Sequence, residues 1–242
     1  MNEFWGVTIL LFIILAALVT MIVRLTTYHK EYHLVRHDKA CLSERLSTIK
    51  SGDIILFIAH THGLTNSIFT WDLYSHSGIV VEIDGELYVS ESTVDSLPDA
   101  TGKELTLPQS SQINPLLRRL KHYPGMTFLM QLETPLTLAQ EAVLRERAQE
   151  RVPYPSMLQM LQAIFRIPVH KKARHCMQHV AWLIDEVGLT PDYQAEKGKT
   201  LLESGFFASS RAVTSLPGKS LGGGANQYTK IVQLLYDLNT HG

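Results

Sequence analysis

The sequence predicts an α+β domain, in which an antiparallel sheet packs on one helix, behind a single N-terminal membrane-spanning helix. Three patterns lead to this prediction. An uncharged apolar run covers Phe4 to Val23, short β-branched runs follow it, and an apolar-periodic helix is predicted from Cys176 to Val187. The chain therefore divides into an anchor over residues 1–24, a helical connector over residues 25–50 and a globular domain over residues 51–242.

The apolar run near the N-terminus is long enough to cross a bilayer. At about 1.5 Å per residue, Phe4–Val23 spans about 30 Å, the thickness of the hydrocarbon core. A cleaved signal peptide is the alternative, but Met1-Asn-Glu3 carries no positive charge and no small-x-small cleavage site follows the run. Several Lys and Arg residues do follow it, so the positive-inside rule predicts a cytosolic C-terminal domain; the reversed orientation would place that domain outside the cytosol.

The composition of the chain limits the classes of binding partner and indicates the redox state of its cellular compartment. The 242 residues are 45% apolar with a formal net charge of −1, which fits one domain of ordinary size, or a domain plus an appendage, and does not favour nucleic acid. Cys41 and Cys176 are the only cysteines, so there is no disulfide framework and a reduced compartment is the simpler interpretation. A single bridge between them stays open at this stage.

The first half of the domain predicts strands. Residues 25–50 indicate a polar helical connector, and Ser51 to Phe57 indicates a turn that enters a buried strand. Ser77 to Ile83 and Glu86 to Ser90 flank an Asp84-Gly85 pair, which predicts a β-hairpin because Asp-Gly suits the tight turn between two strands.

The second half alternates loops, strands and helices. Residues 92–124 carry four prolines and predict a long irregular connection whose middle could be a lid. We expect a strand over Met126 to Leu132, a surface helix over Leu138 to Gln149, a helix over Ser156 to Phe165 and a closing strand over Tyr228 to Tyr236.

Two stretches about a hundred residues apart carry the side chains that a cysteine nucleophile and its histidine base require. His76 lies at the mouth of a predicted strand, and Cys176 at the start of a predicted helix. A helix N-terminus and a neighbouring imidazolium both lower a thiol pKa, and the backbone N–H of Cys176 is available to an oxyanion. The alternative is a buried structural cysteine.

Four motifs, in this order, resemble the circularly permuted NlpC/P60 superfamily, a papain-like group. The resemblance covers roughly residues 50–190 and is greatest to the branch of YiiX-like and poxvirus G6-like proteins. In the permuted group the cysteine follows the histidine strand, as it does here. The motifs are Ser51-Gly-Asp-Ile-Ile-Leu-Phe57, Ser75-His-Ser-Gly-Ile-Val-Val81, Tyr88-Val-Ser-Glu91 and His175-Cys-Met-Gln-His-Val180.

The resemblance implies a role for each of three residues. Cys176 would be the nucleophile, His76 the general base, and Glu91 the group that orients the imidazole, with Glu82 as the substitute if the hairpin register differs. In the related acyltransferases the third position is usually a second histidine, and this sequence has none near residue 91. This difference counts against acyl transfer to retinoid or phospholipid.

The implied function is that of a membrane-anchored thiol hydrolase that cleaves a peptide, amide or related acyl bond through an acyl-enzyme, with no organic cofactor. Anchoring would favour a lipid-linked substrate or one presented at a membrane. The alternatives are a catalytically inactive structural or interaction protein of the same fold, and a lipid acyltransferase or phospholipase. The sequence leaves the substrate and the oligomeric state open.

The remaining histidines and tyrosines have less specific interpretations. His-x-His and His-Cys-x-x-His spacing permits zinc in principle, but no second cluster with zinc-like spacing accompanies it, and we predict no metal site. Gly218-Lys-Ser220 lacks the leading glycine of a phosphate loop. Tyr74 and Tyr154 either line a cleft or pack in the core. The histidines concerned are His60, His62, His175 and His179, together with His29, His33 and His37 of the connector, which we expect on a wetted helix face.

Overall fold

The computed structural model describes residues 37–59, 73–94, 109–156, 158–160, 173–192, 212–222 and 226–236, together with scattered positions between 8 and 26. Within these residues, seven strands form one sheet in the order β1-β7-β6-β2-β3-β4-β5. The strands are β1 (Asp38–Cys41), β2 (Ile54–Ala59), β3 (His76–Ile83), β4 (Glu86–Thr93), β5 (Ser110–Pro115), β6 (Gly125–Met130) and β7 (Val232–Leu235).

The sheet is mixed, which corrects the predicted antiparallel sheet. Strands β2 to β6 pair antiparallel with their neighbours, and β6 pairs antiparallel with β7. At the edge, however, β1 runs parallel to β7, with Asp38 opposite Val232. Strands β1 and β7 come from remote parts of the chain, so no hairpin turn constrains their relative direction.

Helices cover both faces of the sheet. They are α1 (Leu42–Leu46), α2 (Leu116–His122), α3 (Leu138–Ala148) and α4 (Cys176–Glu186). Helices α3 and α4 enclose the larger apolar cluster on one face, and α1 and α2 enclose a smaller cluster on the other. Residues Ile54 to Ile58 of β2 are therefore all buried, as in strands that have both faces covered.

The hairpin and the turn before β2 form for local reasons. Asp84 and Gly85 both have positive φ, 53° and 82°, as the tight turn requires, so the predicted hairpin is confirmed. Asp53 is fully buried because its carboxylate accepts the backbone N–H groups of Leu132 at 2.9 Å and Lys50 at 3.0 Å. Burial raises the pKa of Asp53 to about 6. The Gly-Asp motif thus has a structural role.

Most predicted elements of the second half are confirmed where the structure describes them. The strand β6, the helix α3 and the closing strand β7 lie within the predicted ranges or begin one residue early. Helix α4 ends before Gly188, which has a φ of 73°. Of the helix predicted from Ser156 to Phe165, positions 158–160 are helical and 161–165 lie outside the described residues.

The predictions for two stretches, one expected to be helical and one expected to be irregular, were wrong in part. The connector predicted to be helical over residues 25–50 contains the strand β1 before the short helix α1. The connection predicted to be irregular over residues 92–124 contains β5 and α2. In both cases pairing with a distant strand or packing on the sheet overrides a weak local signal.

The predicted membrane-spanning helix over Phe4–Val23 is not supported. Among the described residues, none belongs to a helix with the length and apolar character that crossing a bilayer requires. The predictions of a single-pass membrane protein and of a cytosolic C-terminal domain depended on that span and are overturned with it.

Candidate active site

Cys176 is the first residue of α4, and the preceding residue caps the helix. The His175 side chain accepts the backbone N–H of Met177 at 3.2 Å, while the Gln178 side chain accepts the N–H of His175 at 3.3 Å. This capping box fixes where the helix begins. The N–H of Cys176 is among the first N–H groups of α4, which have no acceptor within the helix.

His76 is the first residue of β3 and contacts both other predicted site residues. Its ring interacts with the Cys176 thiol closely enough for each group to shift the pKa of the other, and its Nε2 donates to Oε2 of Glu91 at 2.5 Å. Cys176 belongs to the apolar cluster under α4, whereas Glu91 lies opposite Gly78 on the other side of the sheet. Because His76 occupies the end of its strand, its ring reaches groups on both sides.

Gly78 makes room for this arrangement. A Cβ atom at that position would clash with the side chain of Val89 and would lie 3.3 Å from Cβ of Glu91. The register places Gly78 directly opposite Glu91, two residues along β3 from His76. The glycine of the His-Ser-Gly motif therefore lets the carboxylate strand approach closely, since any side chain would push β4 away.

Three donors surround the Glu91 carboxylate, which is fully buried. Besides His76, the amide of Asn114 donates to Oε1 at 2.8 Å. The Arg119 guanidinium lies with its Nε 2.7 Å from Oε1 and donates to Oε2 at 3.0 Å. A buried carboxylate needs such donors, because an unpaired charge in the interior is strongly unfavourable.

Sequence reasoning did not single out Asn114 or Arg119. Both lie within the stretch predicted to be irregular, where the prolines hid the strand and helix. A signal was present, because Leu116, Arg119 and Leu120 have the i, i+3, i+4 spacing of one helix face. Arg119 is 4% exposed and lies over the rings of Phe57 and Tyr123, each 5.2 Å from the guanidinium carbon.

The electrostatics of the group favour an ion pair between thiol and imidazole. Burial raises the pKa of Cys176, but the hydrogen bonds and charges of His175 and His76 outweigh burial and lower it to about 5. Burial lowers the pKa of His76, but Cys176 and Glu91 together raise it to about 9. At neutral pH the favoured state is therefore a thiolate beside an imidazolium.

The carboxylate stays ionised in spite of its burial. Burial raises the pKa of Glu91, but the positive charge of Arg119 and the hydrogen bonds from His76 and Arg119 lower it to about 2. A carboxylate hydrogen-bonded to Nε2 holds the imidazole in one orientation and leaves Nδ1 as the nitrogen that faces the thiol. This arrangement can deliver a thiolate to a carbonyl carbon and a proton to a leaving group.

The other residues considered from the sequence lie apart from this group. Glu82 is exposed and pairs with Leu87 towards the opposite end of the hairpin, so it does not substitute for Glu91. Tyr74 is buried in the core, with its hydroxyl 2.7 Å from Nε2 of His37. The backbone N–H of Tyr154 donates to the carbonyl of Gln109.

His179 is a buried residue of α4, one turn after Cys176. Its Nε2 lies 2.9 Å from the Ser90 hydroxyl, and its ring packs 5.8 Å from that of Trp182. Burial first, and then the charge of Arg174, lowers the pKa of His179 to about 3, so the ring is neutral at physiological pH.

No group of three or more His, Cys, Asp or Glu side chains with a geometry suited to a metal ion occurs within the described parts of the chain. Both cysteines are free thiols, which excludes the disulfide left open by the sequence. The His-x-His pair His60 and His62 lies outside the described residues, as do His29 and His33.

Comparisons with known proteins give partial structural similarity and no sequence match. No protein-family model matches the chain, and no curated protein matches it. The chain is similar to the crystal structure of the metalloprotein YiiX from Escherichia coli O157:H7, at 19% identity and a TM-score of 0.41. The similarity covers 57% of this chain and 66% of YiiX, which is just under two thirds of its length.

Proposed function

We propose that this protein is a thiol hydrolase that cleaves a peptide, amide or related acyl bond through an acyl-enzyme on Cys176. The observation that carries the proposal is the position of the His76 ring, which hydrogen-bonds with the buried Glu91 carboxylate and lies near enough to Cys176 to lower the pKa of its thiol. A nucleophile, a base and a group that orients the base are the parts that covalent acyl transfer requires.

The proposed reaction has two steps. The Cys176 thiolate attacks the carbonyl carbon, a C–S bond forms, and the oxyanion faces the N–H groups at the start of α4. The imidazolium of His76 gives its proton to the leaving nitrogen as the C–N bond breaks. Water then attacks the thioester and loses a proton to His76, the C–S bond breaks, and the acid leaves.

A labelling experiment at low pH tests the nucleophile. At pH 5.5 a thiol with a pKa near 5 is about three-quarters ionised, whereas an ordinary thiol with a pKa of about 8.5 is about 0.1% ionised. We expect iodoacetamide to alkylate Cys176 at pH 5.5 while Cys41 stays unmodified. Peptide mapping by mass spectrometry distinguishes the two sites, and a Cys176→Ser variant is the control.

Turnover needs a separate test, since a reactive thiol does not by itself hydrolyse anything. We expect a panel of peptidyl amidocoumarin substrates to include some that are hydrolysed by the wild type and not by Cys176→Ser. Labelling only at high pH, equally at Cys41 and Cys176, would contradict the proposal and favour a protein that keeps the fold without catalysis.

A further inference from the structure

Arg119 forms a buried ion pair with Glu91, so the chain places a full positive charge beside this carboxylate. Asn114 and the backbone could satisfy a neutral side chain at position 91, yet the chain places a guanidinium 2.7 Å from Oε1. The Nη2 atom of Arg119 is also buried without a hydrogen-bond partner among the described residues. Burying a cation with an unmatched donor is unfavourable, so its charge needs an explanation.

Counting charges in the buried group gives that explanation. With Arg119 present, a neutral Cys176–His76 pair and a thiolate–imidazolium pair both leave the group of four with zero net charge. Transfer of the proton from sulfur to nitrogen does not change the net charge in either case, and the effect of Arg119 is that the group holding the thiolate is neutral. Without Arg119, the uncharged combination is a thiol beside the His76 imidazolium and the Glu91 carboxylate, and forming a thiolate there leaves one uncompensated negative charge.

We propose that Arg119 is a positioning residue that acts through Glu91: it balances the buried carboxylate and so lets Cys176 persist as a thiolate beside His76. This inference rests on the proposed function. The contacts of Arg119 described above do not include the thiol. Arg119 holds Glu91 in place by contact with both carboxylate oxygens.

The other charged and titratable groups around the site do not supply the same balance. His179 lies on α4 with a pKa lowered to about 3 and stays neutral. Arg174 precedes α4, and its guanidinium lies 3.7 Å over the Trp182 ring. The groups that face the site are His76 on β3, Glu91 on β4, Arg119 on α2, His175 at the start of α4, and Arg174 and His179 beside it.

The test compares the thiol pKa of Cys176 across four proteins that all carry Cys41→Ser, so that one thiol remains. They are the parent, Arg119→Met, Glu91→Gln and the double variant, with Arg118→Met as the matched control because Arg118 is the exposed neighbour on the same helix. The pKa is read from the pH dependence of alkylation. We expect Arg119→Met to raise it by about one to three units, as loss of a nearby opposite charge does.

The double variant shows whether Arg119 affects the thiol pKa through Glu91. In the Glu91→Gln background there is no carboxylate to balance, so we expect Arg119→Met to add less than half a unit. An equal shift in both backgrounds, or no shift from Arg119→Met alone, would overturn the inference. If Arg119→Met does not fold, as judged by circular dichroism, Arg119→Lys keeps the charge and is expected to stay within half a unit of the parent; a larger rise would overturn it.

These outcomes are separate from failure of the proposed function. If the parent thiol itself titrates near 8.5, there is no stabilised thiolate and the hydrolase proposal fails. If the parent titrates near 5 and Arg119→Met does the same, the hydrolase proposal stands and only the role of Arg119 is lost.

Discussion

Replacing His76 by alanine removes the partner on which the Cys176 thiolate depends. Burial and the His175 ring remain in the variant, and burial alone raises the thiol pKa. We therefore expect the pKa of Cys176 to rise from about 5 to at least the ordinary value of about 8.5. This rise of about 3.5 units corresponds to about 5 kcal/mol of lost preference for the thiolate.

The assay has to measure the pKa and not a single rate. At pH 6.5 the ionised fraction would fall from about 97% to about 1%, but a more basic thiolate is also a stronger nucleophile. With a Brønsted slope of about 0.45, a rise of 3.5 units makes each thiolate about 40-fold more reactive, which cancels most of the loss. Thiolate absorbance at 240 nm, followed against pH in the Cys41→Ser background, avoids this compensation.

A change in solvent access cannot imitate the expected rise in the pKa of Cys176. The thiol is 3% exposed in the parent, and removing the imidazole exposes it further, which would by itself favour the thiolate. A His122→Ala variant, which changes an exposed histidine of α2, serves as the control. The reasoning is refuted if the parent, His76→Ala and His122→Ala all titrate at the same pH.

Three further predictions concern the fold that holds the site. Gly78→Ala forces a Cβ into Val89, so we expect a loss of about 1–3 kcal/mol in the free energy of unfolding by urea, and an unchanged value would contradict the close approach of β4. Asp53→Ala leaves the Lys50 and Leu132 N–H groups without their acceptor and should cost about 1–3 kcal/mol, measured the same way; a change below 0.5 kcal/mol argues against the turn. Because the pKa of His179 is lowered to about 3, its unfolded form binds a proton between pH 6.5 and 3 that the folded form does not, so stability is lost as pH falls through that window. We expect the unfolding free energy of the wild type to fall by about 2 kcal/mol more than that of His179→Gln between pH 6.5 and 5, and equal slopes would show that the ring is not held neutral.

Local sequence signals predicted the parts of the fold that local physics determines. The Asp84-Gly85 turn, the α4 periodicity and the glycine after it each depend on a few adjacent residues, and the structure has all three. Strand β1 and its parallel pairing with β7 depend on residues nearly two hundred positions away. No local pattern encodes such a partner, so the sheet was predicted to be purely antiparallel.

The same distinction applies to the candidate site. Cys176 and His76 could be selected because each sits at the end of an element that sequence periodicity reveals, and Glu91 followed from the resemblance. Arg119 could not be selected in this way, because its importance comes from burial against Glu91, and a charged residue is ordinarily expected at the surface. The membrane-spanning helix predicted at Phe4–Val23 rested on hydropathy alone, and no helix of the described residues is long and apolar enough to cross a bilayer.

Trapping of an acyl-enzyme tests the central claim most directly. An activated ester such as 4-nitrophenyl acetate acylates a reactive thiol without demanding the natural substrate, and the released nitrophenolate counts the acylated sites. We expect a burst of about one equivalent per chain at pH 6, with the acetyl group on the Cys176 peptide and a smaller burst in His76→Ala. No burst above that of Cys176→Ser, or an acetyl group found mainly on Cys41, would contradict the account.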